Sequence, residues 1–359
     1  MAKNQIKIHP EFKLNGLGYS ESDLKTFANE LVREGKPFEK DIGKFLSAWF
    51  DNTANLEVKT SGSTGIPKLI VLQKKQMVNS ALATARFFNL KAKDSSLLCL
   101  SATYIAGKMM LVRALVLGLH LDYVEPSSSP VARVSKNYDF VAMVPLQLEN
   151  SIAKIEQIKT LIVGGAAVSS KLREQTKDKN TVIFETYGMT ETISHVAVKR
   201  LKDLTGPSRS YFKALPNVKF SIDEKACLVI AAPKVSDRLV ITNDVVQLLS
   251  DSEFEWLGRY DNIINSGGIK LFPERIEAAI APFLNNRFFV TGMPDEKLGE
   301  QLVLIVEGIF DTNKLKQQLT TEAQLNRYEV PKHVYALSQF METDTGKIRR
   351  KETLKMLQN

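Results

Sequence analysis

Apolar and polar positions follow two rhythms along the chain. Short apolar runs of strand length recur at Ser96 to Leu100, Phe140 to Val144, Thr160 to Val163, Val182 to Phe184 and Leu239 to Thr242, several separated by segments with helical spacing. Within Gln73 to Phe88, the residues Met77, Ala81, Leu82, Ala85 and Phe88 are expected to form the buried stripe of a helix. A second apolar helix pattern, Met109 to Leu117, is interrupted by Arg113. Strands alternating with helices predict an α/β fold built on a large layered sheet.

After Gly258 the texture changes. A polar, glycine-bearing stretch runs to Gly268, and a helix is expected to open at Pro273 and continue from Glu274 to Ala281. A strand at Leu302 to Val306 and a charged C-terminal segment complete a unit of domain size. The expected organisation is a large N-terminal domain over 1–258 and a small α+β lid over 259–359, with the boundary near Arg259.

Composition adds limits. The 359 residues, 44% hydrophobic, can bury a sizeable core, and no run approaches the ~20 apolar residues that span a bilayer, so no membrane span is expected. The N-terminus lacks an apolar signal core, and Cys99 and Cys227 sit in apolar runs typical of buried strands, which predicts a reducing, cytoplasmic setting. A net charge of +8 comes from basic residues spread along the chain. That pattern argues against nucleic acid as a partner, and leaves a solvated basic surface or polyanionic small molecules.

The segment Thr60-Ser61-Gly62-Ser63-Thr64-Gly65-Ile66-Pro67-Lys68 combines four hydroxyls, two glycines and a lysine. Glycines let backbone amides approach phosphate oxygens while the hydroxyls and lysine donate to them. Pro67 stands where the Walker pattern has a glycine, so this is not a Walker loop. In isolation, a Ser/Gly-rich surface turn explains the segment equally well.

Taken with five further motifs, the segment resembles the phosphate loop of the adenylate-forming superfamily, which includes acyl-CoA synthetases, luciferases and peptide-synthetase adenylation domains. The motifs follow the family's order from residue 55 onward: Gly164-Gly165-Ala166, Tyr187-Gly188-Met189-Thr190-Glu191-Thr192, Thr242-Asn243-Asp244, Gly258-Arg259-Tyr260-Asp261 with Gly267-Gly268, and Thr345-Gly346-Lys347. The resemblance implies that Thr60 to Gly65 and Lys68 bind ATP phosphates, and that Gly164 and Gly165 form the wall between adenine and acyl pocket. It also implies that Tyr187 and Gly188 pack on adenine, Thr190 contacts phosphate, Glu191 holds Mg²⁺, and Asp244 and Arg259 hold the ribose. Asp261 is implied as the hinge, Gly267 and Gly268 as the passage for the pantetheine of coenzyme A, and Lys347 as the mobile catalytic cation. A lysine suits that role because adenylation joins two anions. Taken alone, the glycine pair reads as a strand-ending turn, and Lys347 as solvated surface.

The acid is narrowed by two features. The phosphate loop lies early in the chain, and this short form resembles the o-succinylbenzoate–CoA ligases of menaquinone biosynthesis, as does Ser194-His195-Val196-Ala197 after the glutamate motif. In the segment Leu100 to Gly118, Tyr104 stands where the family usually has a histidine. Arg113 matches the position at which those ligases carry an arginine for the second carboxylate, and a bidentate contact would suit a dicarboxylate. A helix-surface arginine snorkelling to solvent is the competing reading. Lys108 and His195 are further candidates for the acid site. The expected reaction is ATP-dependent activation of an aromatic carboxylic acid and its transfer to coenzyme A; another aryl or acyl-CoA ligase, or a loader of a separate carrier protein, are the alternatives, and a homo-oligomer is left open.

Overall fold

The computed structural model describes residues 7–59, 69–132, 134–202, 211–323, 325–342 and 348–357. Among these, a thirteen-stranded sheet dominates. Its parallel centre runs in the order Lys13–Leu14, His120–Tyr123, Ser95–Leu98, Tyr138–Met143, Ile158–Val163, Val182–Gly188. From Val182–Gly188 outward the pairing turns antiparallel, through His195–Arg200, Phe212–Ala214, Glu253–Arg259, Val240–Ser250, Cys227–Ala231 and Lys219–Ile222.

The continuous apolar runs of the central strands follow from burial on both faces. Leu98, Phe140, Ala142 and Ile162 join one core with the helices Lys74–Phe88 and Ile105–Leu117, whereas Leu97, Val141, Leu161, Val163 and Ile183 enter a second core with Leu148 and Leu172. Successive residues thus serve opposite faces, as the period of two requires. Cys99 and Cys227 are both buried and free.

Each predicted strand and helix is present, with shifted ends: Leu239 to Thr242 proves to be the start of an eleven-residue strand, Val240–Ser250. One core assignment is corrected. On the helix Lys74–Phe88, Met77 and Ala81 are buried but Leu82 is 39% exposed, and Ser80 and Thr84 take the inward positions instead. Two helices that the apolar pattern did not bring out, Glu21–Glu34 and Pro37–Trp49, cross closely at Gly43, where a Cβ would meet the Ala28 carbonyl at 2.6 Å. Ser20 and Asp23 form a reciprocal cap on the first, and Pro37 opens the second.

The C-terminal unit carries its own sheet, in the order Ile269–Leu271, Ile264–Ser266, Gly299–Glu307, Phe288–Asp295, with His333–Leu337 parallel to Gly299–Glu307. Arg259 is the last residue of the large sheet, and the first strand of the small sheet, Ile264–Ser266, follows it. The expected helix is Pro273–Ile280; Ile276 and Ile280 bury against Leu304, Val306 and Leu315. No described helix is long and apolar enough to cross a membrane.

Candidate active site

The strand Val182–Gly188 places Tyr187 at the edge of the parallel centre, with its ring against Phe254 and Phe212 at centroid distances of 5.2 and 5.7 Å. Its hydroxyl donates to Asp244 Oδ2 at 2.6 Å. Burial, and then the Asp244 charge, raise the phenol well above its ordinary range, so it stays a donor. Asp244 is itself buried, and Arg259 Nε lies 3.8 Å from its other oxygen. These two residues face each other across the hairpin of Val240–Ser250 and Glu253–Arg259. Tyr187, Asp244 and Arg259, distant in sequence, therefore form one cluster with a carboxylate at its centre.

Gly188 has no room for a side chain: a Cβ would strike the Ser194 carbonyl. Gly164 and Gly165 end the strand Ile158–Val163; a Cβ on the first would strike Thr186 Oγ1, and the second has φ +84°. The loop beyond them is held by Glu185, which accepts from the Val168 amide at 3.2 Å and is paired with Arg173 and with Lys199 at 3.0 Å. This buried pairing fixes the wall beside Tyr187 and was not foreseen from the sequence.

Thr190, Glu191 and Thr192 form a short 3-10 turn, and Glu191 is exposed. No cluster of three metal-ligating side chains occurs among the described residues. Directly after it, the Ser194 amide bonds the Thr192 carbonyl at 2.7 Å around Ile193, whose φ is +67° and ψ −55°. This is a γ-turn of the strained hand, centred on a buried β-branched residue and costing about 1–3 kcal/mol. It brings Ser194 and His195 inward.

There they meet Arg113. The helix Ile105–Leu117 carries this arginine into the core at 2% exposure, which removes the snorkelling alternative. Its guanidinium reaches Thr84 Oγ1 at 3.3 Å, Ser194 Oγ at 3.2 Å and His195 Nδ1 at 3.4 Å, and no described carboxylate pairs with it. Burial lowers it to about 10. His195, buried beside that cation, is pushed well below its ordinary value and is neutral. His195 pairs with Gly188 in the sheet, next to the pair of Ala197 with Tyr187. The sequence signal for this group is the pair Ser80 and Thr84, polar residues at helical spacing inside an apolar stripe: Thr84 meets Arg113, and Ser80 Oγ meets Ser194 Oγ at 2.8 Å.

The other acid-site candidates lie apart from this group. Tyr104 caps the helix start and is 44% exposed, and Lys108 donates to the carbonyls of Ala102 and Thr103, with burial lowering its ammonium to about 8. Asp261 is exposed and accepts from Asn243 Nδ2 at 2.5 Å, while Asn262 Nδ2 donates to Glu274 Oε1 at 2.6 Å. Gly267 and Gly268, with φ +61° and +84°, form the two-residue turn of a hairpin, the geometry that favours glycine at both positions. Thr60 to Lys68, and Thr345-Gly346-Lys347, lie outside the described residues; the strands flanking the first, Asn55–Lys59 and Leu69–Gln73, pair antiparallel.

Comparison with known proteins decides the family. The AMP-binding enzyme family matches residues 58–233. A solved acyl-CoA synthetase (AMP-forming)/AMP-acid ligase II-like protein from Dyadobacter fermentans is 36% identical, with 93% of this chain and 98% of that one covered at a TM-score of 0.61. The chain belongs to the AMP-binding enzyme family. Among other AMP-binding enzymes, a 2-succinylbenzoate–CoA ligase of Listeria monocytogenes is 25% identical over 86% of this chain and 71% of its own length. MenE from Bacillus subtilis, solved with ATP and magnesium ion, has the same fold at 19% identity and a TM-score of 0.70, covering 83% of this chain and 69% of its own.

Proposed function

We propose that this protein is an AMP-forming acid–CoA ligase whose acid is an aromatic dicarboxylate of the 2-succinylbenzoate type. The observation that carries the acid assignment is Arg113, a buried cation without a described carboxylate partner, set beside Ser194 and His195. A charge so placed is costly until an anion joins it, and a carboxylate is the anion a guanidinium binds in bidentate fashion. The curated relatives named 2-succinylbenzoate–CoA ligase support the same choice.

In this reading Asp244 accepts the ribose hydroxyls, Arg259 steadies that carboxylate, and Gly164 and Gly165 let the adenylate lie against backbone. Thr60 to Lys68 hold the phosphates. Exposed Glu191 fits Mg²⁺, which takes one carboxylate together with phosphate oxygens and water and, when bound, offsets phosphate charge. Lys347 neutralises the attack of the acid on the α-phosphate, which releases pyrophosphate. The unit beyond Asp261 then turns, and Gly267-Gly268 admit coenzyme A, whose thiol displaces AMP. A cytoplasmic setting, where all three substrates meet, is part of this proposal.

The test is acid-dependent exchange of labelled pyrophosphate into ATP, followed by thioester formation with free coenzyme A. 2-Succinylbenzoate should support both and benzoate neither at equal concentration. Lys347→Ala should abolish exchange while sparing thioester formation from supplied adenylate. Exchange with benzoate alone would overturn the acid assignment, and transfer only to a carrier protein would overturn the coenzyme A step.

A further inference from the structure

A cavity lies outside the cluster of Tyr187, Asp244 and Arg259. It has a volume of about 180 Å³ and opens between the outer side of the helix Lys74–Phe88, the turn Pro216-Asn217 and the segment Ala232–Val235. Its lining is mixed: Leu215, Val218 and Val235 supply apolar surface, and Asn79, Ser80 and Asn217 supply polar groups. At the rim stand Arg86 and Lys234, neither in an ion pair with any described carboxylate, and no Asp or Glu lines the cavity. His195 contributes to the lining, is 8% exposed, and its Nε2 has no hydrogen-bond partner among the described residues. The segment that forms one side is fixed rather than loose: Asn79 Nδ2 donates to the Lys234 carbonyl at 2.8 Å, and Gln73 and Gln76 both donate to Asp237.

We infer that this cavity is a second ligand site, which takes a small aromatic monocarboxylate and reports its occupancy to the acid site through His195. Size, charge and polarity each restrict the ligand. A cavity of about 150 Å³ holds a benzene ring, so one substituted ring fills this one. The apolar part of the lining, Leu215, Val218 and Val235, takes the ring, and the two cations with no opposing carboxylate take the anionic group. A buried imidazole nitrogen left without a partner is costly, and a ligand oxygen or a water bound with it satisfies the atom. The other ring nitrogen of the same histidine faces Arg113, so His195 spans the wall between the two sites. None of Tyr187, Asp244, Gly164 or Gly165 lines the cavity, which separates it from the adenylate.

Benzoate is the probe. The full chain, with its four histidines carrying ¹³C at Cε1, is titrated with benzoate and with neutral benzamide, and the His195 resonance is identified by its loss in His195→Gln. Benzoate should shift that resonance saturably and benzamide at least about tenfold more weakly. The double substitution Arg86→Ala and Lys234→Ala should weaken benzoate by about tenfold or more while leaving pyrophosphate exchange within about twofold. Three results would overturn the inference: no saturable shift, equal binding of benzamide, or binding that survives the rim substitutions but is lost in Arg113→Met, which would put benzoate in the acid site. Failure of the ligase proposal reads separately, as absent exchange in the unaltered protein.

Discussion

Replacing Arg113 by methionine tests the central charge of the proposed acid site. In the folded chain the guanidinium is held at about 10 instead of 12.5 by burial alone. At about 1.4 kcal/mol for each tenfold change in proton affinity, the unpaired charge costs the native state about 3 kcal/mol. Methionine fills similar space without a charge, and such replacements are neutral or stabilising by about 1–4 kcal/mol. Against this stand the hydrogen bonds to Thr84 and Ser194, at about 1 kcal/mol each. The net expectation is a stability between about 1 kcal/mol below and about 2 kcal/mol above that of the parent, measured as the urea midpoint at unchanged slope. Function should move the other way: loss of a buried bidentate contact is worth about 3 kcal/mol, or roughly 100-fold in the KM for the dicarboxylate. The KM for ATP should hold. A destabilisation of about 3 kcal/mol with an unchanged KM for the acid would refute the reasoning, because it would show a guanidinium already paired and structural.

Removing the Tyr187 hydroxyl with Tyr187→Phe deletes its bond to Asp244 and should raise the KM for ATP about five- to tenfold, on the order of 1 kcal/mol, with the acid KM unmoved. Asn243→Gly removes the side chain that holds Asp261, and transfer to coenzyme A from preformed adenylate should speed about fivefold in single-turnover measurements; no change would mean the bond does not restrain the proposed hinge. His195 gives a pH dependence. Its imidazole is kept neutral in the fold, so below about pH 6.5 the unfolded chain binds a proton that the native one does not, and stability falls as pH drops from there. His195→Gln should flatten that slope between pH 6.5 and 5 in denaturant titrations.

Much of the fold was legible because its central strands are buried on both faces and read as unbroken apolar runs, and because the motif residues are local patterns. The helices Glu21–Glu34 and Pro37–Trp49 were less so, since their packing at Gly43 depends on a tertiary crossing. Leu82 shows the limit of a helical stripe: periodicity marks which residues share a face, but the neighbouring helix decides where on that face burial stops.

By itself the sequence determined the α/β class and the family its motifs resemble. It left Arg113 balanced between a solvated surface and a buried site. The tertiary structure resolved this by bringing in Ser194 and His195, 81 and 82 residues away, without a described carboxylate. It also gave Asn243 a partner in Asp261 and bent the chain at Ile193. The physical reason is range. Backbone propensity and apolar spacing act over a few residues, whereas the cost of a buried charge depends on everything the fold places around it.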